Sequence, residues 1–238
     1  IDFERSHQLL TPARLLRTDS RVSAEPLASS VAALLARSIP CPSGLRSAVR
    51  AFGDGSRGGR GLVEVRGDSC LDDLVVMTRM AGTAIERATR SLVEADVTLA
   101  DSVIAADVEL DALREDVDAR SIDLLARQAP VATDLRTIVT SMRMSADLER
   151  MGDLARHVAL VTRMRYPERA VPDELTATIL EMADACGRIV GMAGDVIASR
   201  DGSAVDGIEA VDDELDHRHR ELFTRMLGPD WAHGTQAA

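Results

Sequence analysis

The sequence predicts an all-α protein of tandem three-helix repeats, and three observations predict it. Apolar residues make up 45% of the 238 positions while aromatic residues make up only 2%. A core drawn from Ala, Leu, Val and Met suits helix-on-helix packing rather than a sandwich or barrel. From Leu71 onward the apolar residues recur at steps of three and four, the spacing of one helical face. A shift of 105 residues lays the D-x-E-L-D string of Asp107–Asp111 on Asp212–Asp216, and Ile85, Ala88, Leu92 and Asp96 on Val190, Ala193, Ile197 and Asp201. One offset serving two helices is the mark of an internal repeat.

Charge separates a leading segment from the rest. Residues 1–66 carry ten Arg and six acids, whereas residues 67–238 carry 18 Arg and 33 acids. Pro12, Pro26, Pro40, Pro42 and the glycine-rich run Gly53–Gly61 break any long period. Residues 1–66 are therefore expected to be a poorly ordered extension, with one short candidate helix at Ser29–Ser38. Its acids argue against an organelle-targeting peptide. Residues 67–168 form the expected first repeat and 169–238 the second.

The elements follow in order. The first helix is expected from Leu71 to Asp96 and the second from Leu99 to Gln128, with Ala106, Leu110, Leu113, Val117 and Leu124 along one side. Pro130 interrupts the backbone bonding there. A third helix runs from Val131 to Arg163, ahead of Tyr166-Pro167; Pro172 opens a fourth, to Arg200, and Ser203 caps a fifth that reaches Leu227. At the same offset, the counterpart of Val131 falls among the last few residues. The second repeat is thus expected to be incomplete, leaving an apolar stripe for a homodimer or a partner helix to cover, or marking a truncated product.

Composition also excludes function classes. A formal net charge of −11 disfavours nucleic acid and anionic membrane as partners. No apolar run approaches the roughly 20 residues that insertion into a bilayer needs. Cys41, Cys70 and Cys186 are too scattered for a disulfide framework, which fits a reduced, cytoplasmic setting. No nucleophile elbow, phosphate loop or dinucleotide fingerprint is present.

What stands out is carboxylate placement. Asp107, Asp111, Glu115 and Asp118 fall on one stripe of the second helix, a quarter-turn from its apolar side, and Glu149 and Asp153 stand four apart on the third. Like charges at that spacing repel unless something positive compensates. Two compensators are open. Hard or borderline cations such as Mg²⁺, Mn²⁺, Fe or Zn²⁺ suit clustered carboxylates, with His157 as a nitrogen donor; alternatively Arg114, Arg136, Arg150 and Arg156 satisfy the acids as ion pairs. Glu214-Leu-Asp-His217 has the Glu-x-x-His spacing of di-iron bundles, but only once, and reads as a charged outer face. The methionines Met142, Met144 and Met151 read as core, and the single Trp231 as packing at the exit of the last helix.

Ala129-Pro-Val-Ala-Thr-Asp-Leu-Arg136, followed by Ala146-Asp-Leu-Glu-Arg-Met-Gly-Asp-Leu-Ala155, closely resembles the PhoU family of phosphate-uptake and phosphate-signalling regulators. The segments Asp195–Arg200, Leu222–Met226 and Trp231–Gly234 resemble its actinobacterial members, so the resemblance covers about residues 69–238. It implies two three-helix repeats and an acidic E-x-x-x-D motif on each third helix, able to hold a small iron or zinc cluster. Carried over by position, the motif is Glu149 and Asp153, with Asp147, Asp107, Asp111 and Asp134 as neighbours. The second motif is absent from this sequence. The resemblance further implies a non-enzymatic cytoplasmic adaptor that restrains phosphate import and the phosphate-starvation response, with a phosphate ABC-transporter ATPase and a sensor histidine kinase as partners. Rival readings are a metal-dependent helical-bundle enzyme, a metal-free scaffold, and a non-functional fragment.

Overall fold

The computed structural model describes Val49, residues 62–228 and Trp231. Five helices carry these residues: α1 (Leu62–Glu94), α2 (Val97–Gln128), α3 (Ala132–Arg165), α4 (Asp173–Ser199) and α5 (Val205–Met226), with a 3₁₀ turn at Gly202–Ala204 before the last. No strand occurs among the described residues. The all-α expectation holds.

The first helix starts earlier than its apolar period predicts. Residues 62–66, assigned by sequence to the extension, are helical, and Gly67 lies within α1 rather than ahead of it. One glycine costs a helix interior about 1 kcal/mol, which a helix of 33 residues absorbs. The candidate helix at Ser29–Ser38 lies outside the described residues; Val49 is helical and buried in the core.

Short connections fold the helices back on one another. Only Ala95 and Asp96 separate α1 from α2, and residues 129–131 separate α2 from α3, lengths that join antiparallel neighbours. The first helix packs against α2, α3 and α4; α2 and α3 pack together, and α5 packs on α4. Leu74, Met77, Ala81, Ala88 and Leu92 on α1 are fully buried, as are Met144 and Leu148 on α3 and Met182 and Ile189 on α4, in one continuous core.

The buried line of α2 differs from the expected one. It comprises Ala100, Val103, Asp107, Leu110, Val117, Ser121 and Leu124, the seven-residue spacing of helices packed nearly side by side. Ala106, expected on that face, is exposed, and Asp107 takes the core position beside it. A hydrophobicity pattern cannot see this, because an ion pair described below makes the carboxylate tolerable there.

The offset of 105 survives in three dimensions. Leu74, Met77, Ala88 and Leu92 find buried counterparts in Ile179, Met182, Ala193 and Ile197. On α5, Val205, Ile208, Asp212, Leu215 and Leu222 take the places of Ala100, Val103, Asp107, Leu110 and Val117, and all ten are buried. Even the corners match. Ala95 and Arg200 both adopt left-handed backbone, with φ of 54° and 55°. Asp96 accepts from the Leu99 N–H, and Asp201 accepts from the Ser203 N–H, each at 3.0 Å. The residue that caps the last turn-and-helix is therefore Asp201, not Ser203, which instead donates its own N–H and hydroxyl to that carboxylate. An extended Asp at the corner has the carboxylate reach that a residue already inside the 3₁₀ turn lacks.

Candidate acidic site between the second and third helices

Close approach of α2 and α3 begins with a missing side chain. Gly152 is buried, and a Cβ there would run into Leu110 Cδ2 and come within 3.3 Å of Asp107 Oδ1. Glycine between Met151 and Asp153 thus lets the two helices close and brings Asp153 beside Asp107.

At this crossing one guanidinium spans both helices. Arg156 Nε lies 2.6 Å from Asp107 Oδ2, and its Nη2 lies 2.6 Å from Asp153 Oδ1. The Asp107 side chain is only 7% exposed, whereas Arg156 retains 31%. Asp111 on α2 and Glu149 on α3 share the same electrostatic environment. Arg114 pairs with Asp118 at 3.1 Å, and its charge also reaches Glu149.

These surroundings displace several protonation equilibria. Burial pushes the Asp107 carboxyl up, and Arg156 only partly offsets that because Asp111 and Asp153 add their own repulsion. Burial also raises Glu149, reinforced by Asp153 and by the acids of α2 against the pull of Arg114. Hydrogen bonding to Asp153, with the charges of Asp153 and Asp107, holds Arg156 protonated more firmly than usual. Burial pulls the His157 imidazole down, and the neighbouring Arg156 charge pulls it further.

Four of the six expected site residues meet here: Asp107, Asp111, Glu149 and Asp153. The other two do not join them. Asp147 lies roughly 200° around α3 from Glu149, where burial raises its carboxyl against the charge of Arg150. Asp134 is exposed in the first turn of α3, about 22 Å along the axis from Glu149 by helical rise. Sharing a helix with the motif does not bring either residue to its face.

The expected metal meets a donor set already balanced by protein charge. Among the described residues no three His, Cys, Asp or Glu side chains are grouped to hold a metal ion. The gap between Asp107 and Asp153 is filled by Arg156. The residues as arranged do not fit a metal centre; they fit an arginine bridge, with Arg114 as a second compensator. Arg136 stays exposed and takes no part.

Other candidates resolve simply. Glu214 engages Arg218 at 3.1 Å and Arg188 at 3.3 Å, and exposed His217 pairs with Glu221 at 3.1 Å, so the Glu-x-x-His string is an outer charged face. Met144 and Met151 are buried core, and Trp231 packs against that core. Beyond Gly152 a largely apolar cleft of about 240 Å³ opens between α1 and α2, walled by Met80, Ala84, Val103 and Leu110 with Arg79 and Arg87 at its edge. It touches Asp107 but not Asp111, Glu149 or Asp153.

The PhoU domain model matches residues 74–162, a span that contains the whole acidic crossing. A phosphate-specific transport system accessory protein, PhoU homolog 2 of Mycobacterium tuberculosis, is 41% identical over 162 residues, covering 68% of this chain and 76% of that protein. The chain belongs to the PhoU family. PhoU homolog 1 of Mycobacterium leprae is 38% identical over 68% of this chain and 73% of its own length. The Caulobacter vibrioides homolog is 32% identical over 64% and 69%. No helix among the described residues is long and apolar enough to cross a membrane.

Proposed function

We propose that this PhoU-family chain is a non-enzymatic phosphate-transport accessory protein of the cytoplasm, an adaptor that restrains phosphate import and starvation signalling when phosphate is plentiful. The observation that carries the reading is the match of residues 74–162 to the PhoU domain, joined to 41% identity with a relative named for phosphate-specific transport. Its partners on this reading are the transporter ATPase and a sensor histidine kinase. Long helices with unpaired carboxylates offer a rigid negative surface that draws in basic partner surfaces and sets their orientation.

A metal-free working state is favoured within this reading by the Arg156 bridge, which already supplies the positive charge that Asp107 and Asp153 need. A divalent cation would have to displace that guanidinium before it could use either carboxylate. A substrate-converting role has less support, because the cleft beside the crossing is apolar and excludes three of its four acids.

The test is affinity purification of the full chain from phosphate-replete cells, with mass spectrometry of what co-purifies, repeated with Glu149→Ala and Asp153→Ala combined. Recovery of a transporter ATPase or sensor kinase, lost in the double variant, is the expected result. Recovery of neither by soluble, folded protein refutes the adaptor reading.

A further inference from the structure

The side of α2 turned away from the core is organised as a second seam. With Glu115 filling one position, Ala105, Val108, Ala112, Ala119, Ile122 and Ala126 follow the alternating three- and four-residue steps of a heptad. They lie on the opposite side of the helix from the buried line through Leu110 and Val117. All six are exposed, and the two large ones are far from covered, at 68% for Val108 and 57% for Ile122. A surface helix needs one apolar stripe to hold it to its core. This helix has two, and nothing among the described residues packs on the outer one.

Acids border that seam on both edges. Glu109 and Asp116 lie along one side and Asp111 and Asp118 along the other, with Glu115 in the seam itself. Of these, Asp118 is paired with Arg114. The carboxylates of Glu109, Asp111, Glu115 and Asp116 form no ion pair with a described residue. The edges of a helix seam are where partner choice is made, because charges there face the flanks of whatever helix docks. A second copy of this chain would set acid against acid on both edges. A helix with basic flanks would pair with them. Ala112 and Ala119 between Val108 and Ile122 are small, so they leave room for large apolar side chains on an incoming helix.

We propose that the outer face of α2 is a docking surface for an amphipathic helix of a partner protein, one with large aliphatic residues on its seam and Arg or Lys on both flanks. This deepens the adaptor reading and rests on it only for who the partner is. Asp111 belongs to both the seam edge and the acidic crossing, so the docked helix would lie beside the Arg156 bridge.

The test uses the full chain and two fluorescent synthetic helices of about 28 residues, or four heptads, each with Leu on the seam. One carries Lys on its flanks and the other Glu, and the like charges keep each peptide from pairing with itself. Fluorescence anisotropy is read at about 0.05 M and about 0.5 M salt, because exposed charge attraction is screened over that range. The Lys peptide should bind, and bind at least tenfold more weakly at the higher salt; the Glu peptide should not bind. Val108→Gln with Ile122→Gln, two exposed changes that keep helix propensity, should weaken the Lys peptide at least tenfold without moving the circular dichroism melt. Equal binding of both peptides, binding of neither, or an unchanged affinity in the double variant overturns the proposal. Sedimentation showing a dimer that dissolves in the same variant overturns it in favour of self-association. Because no cellular partner is needed, failure of co-purification with this binding intact removes the adaptor reading and leaves the surface standing.

Discussion

Replacing Arg156 by Met isolates the bridge between α2 and α3. Methionine keeps most of the stem packing while deleting the guanidinium. What remains is Asp107, 7% exposed, facing Asp111 and Asp153 with its main cation gone. Removing one partner of a fully buried pair costs about 3–5 kcal/mol. Arg156 keeps 31% exposure, so water screens part of that loss, and the expected cost is about 2–3 kcal/mol. For a chain of this size that lowers the melting temperature by about 5–10 °C. The assay is thermal unfolding followed by helical circular dichroism at neutral pH. Adding Asp107→Asn should recover most of the loss, since the neutral amide no longer needs a cation, and the double-mutant cycle should return a coupling of about 1–2 kcal/mol. The pH arm has a definite sign. Without Arg156, burial pushes the Asp107 carboxyl up unopposed, so the folded chain binds its proton more readily than the unfolded chain does. The Asp107 contribution to the variant's stability must then rise as pH falls from 7 toward 5, and since His157 titrates in both chains the check is the gap to the parent, which must narrow. A melting change under about 1 °C, or a deficit indifferent to Asp107→Asn, would refute the bridge as the element that makes a buried carboxylate acceptable.

Four further outcomes follow from the same geometry. Glu149→Gln removes a carboxylate repelled by Asp153, Asp111 and Asp107. It should raise stability by a few tenths of a kcal/mol in calorimetry, whereas a metal held by Glu149 would make the change destabilising. Gly152→Ala should cost about 1–3 kcal/mol by forcing α2 off α3, while Gly191→Ala, with open space around it, should gain up to about 1 kcal/mol; urea melts of both check the contrast. The lowered His157 makes the folded chain slower to take up a proton than the unfolded chain, so acidification below about 6.5 destabilises through this residue. The raised Asp107, Asp147 and Glu149 act oppositely just above the ordinary carboxylate range, so His157→Gln should flatten the fall in melting temperature between pH 7 and about pH 6. Finally, millimolar Mn²⁺ or Zn²⁺ should leave the melting temperature of the parent chain unchanged in differential scanning fluorimetry; a dose-dependent rise abolished by Asp153→Asn would count against the arginine bridge.

The repeat and the helix order were legible because apolar spacing and an exact-length duplication are properties of the string itself. Leu92 and Ile197 occupy equivalent buried positions, as their 105-residue separation predicts. The site was legible only in part. Spacing put Glu149 beside Asp153, but it could not tell that Asp107 faces inward and Ala106 outward, because that depends on how α2 rolls against α3. Which positive group fills the gap depends on the reach of a long side chain: four arginines were equally eligible in sequence, and of those four Arg156 is the one that ion-pairs with both Asp107 and Asp153. Gly152 carried a readable signal, a glycine inside a helix flanked by Met and Asp, whose cost makes sense only where another helix comes close. Asp134 and Asp147 show the opposite error, in which membership of a motif region is mistaken for membership of a face.

The first helix has a mechanical consequence. Substantial contact between the α1–α3 bundle and the α4–α5 pair runs through α1 against α4, and at that seam Gly194 presses its bare backbone toward the Thr78 hydroxyl, where a Cβ would come within 2.6 Å. A beam of this kind is a lever. A shift felt at the acidic crossing reaches α4 and α5 through α1 and through the short connection from α3, whose Ala170 and Val171 are buried in the same core. A loosened α1–α4 seam would expose the buried face of α4, so the coupling of the two parts and the integrity of the core stand or fall together.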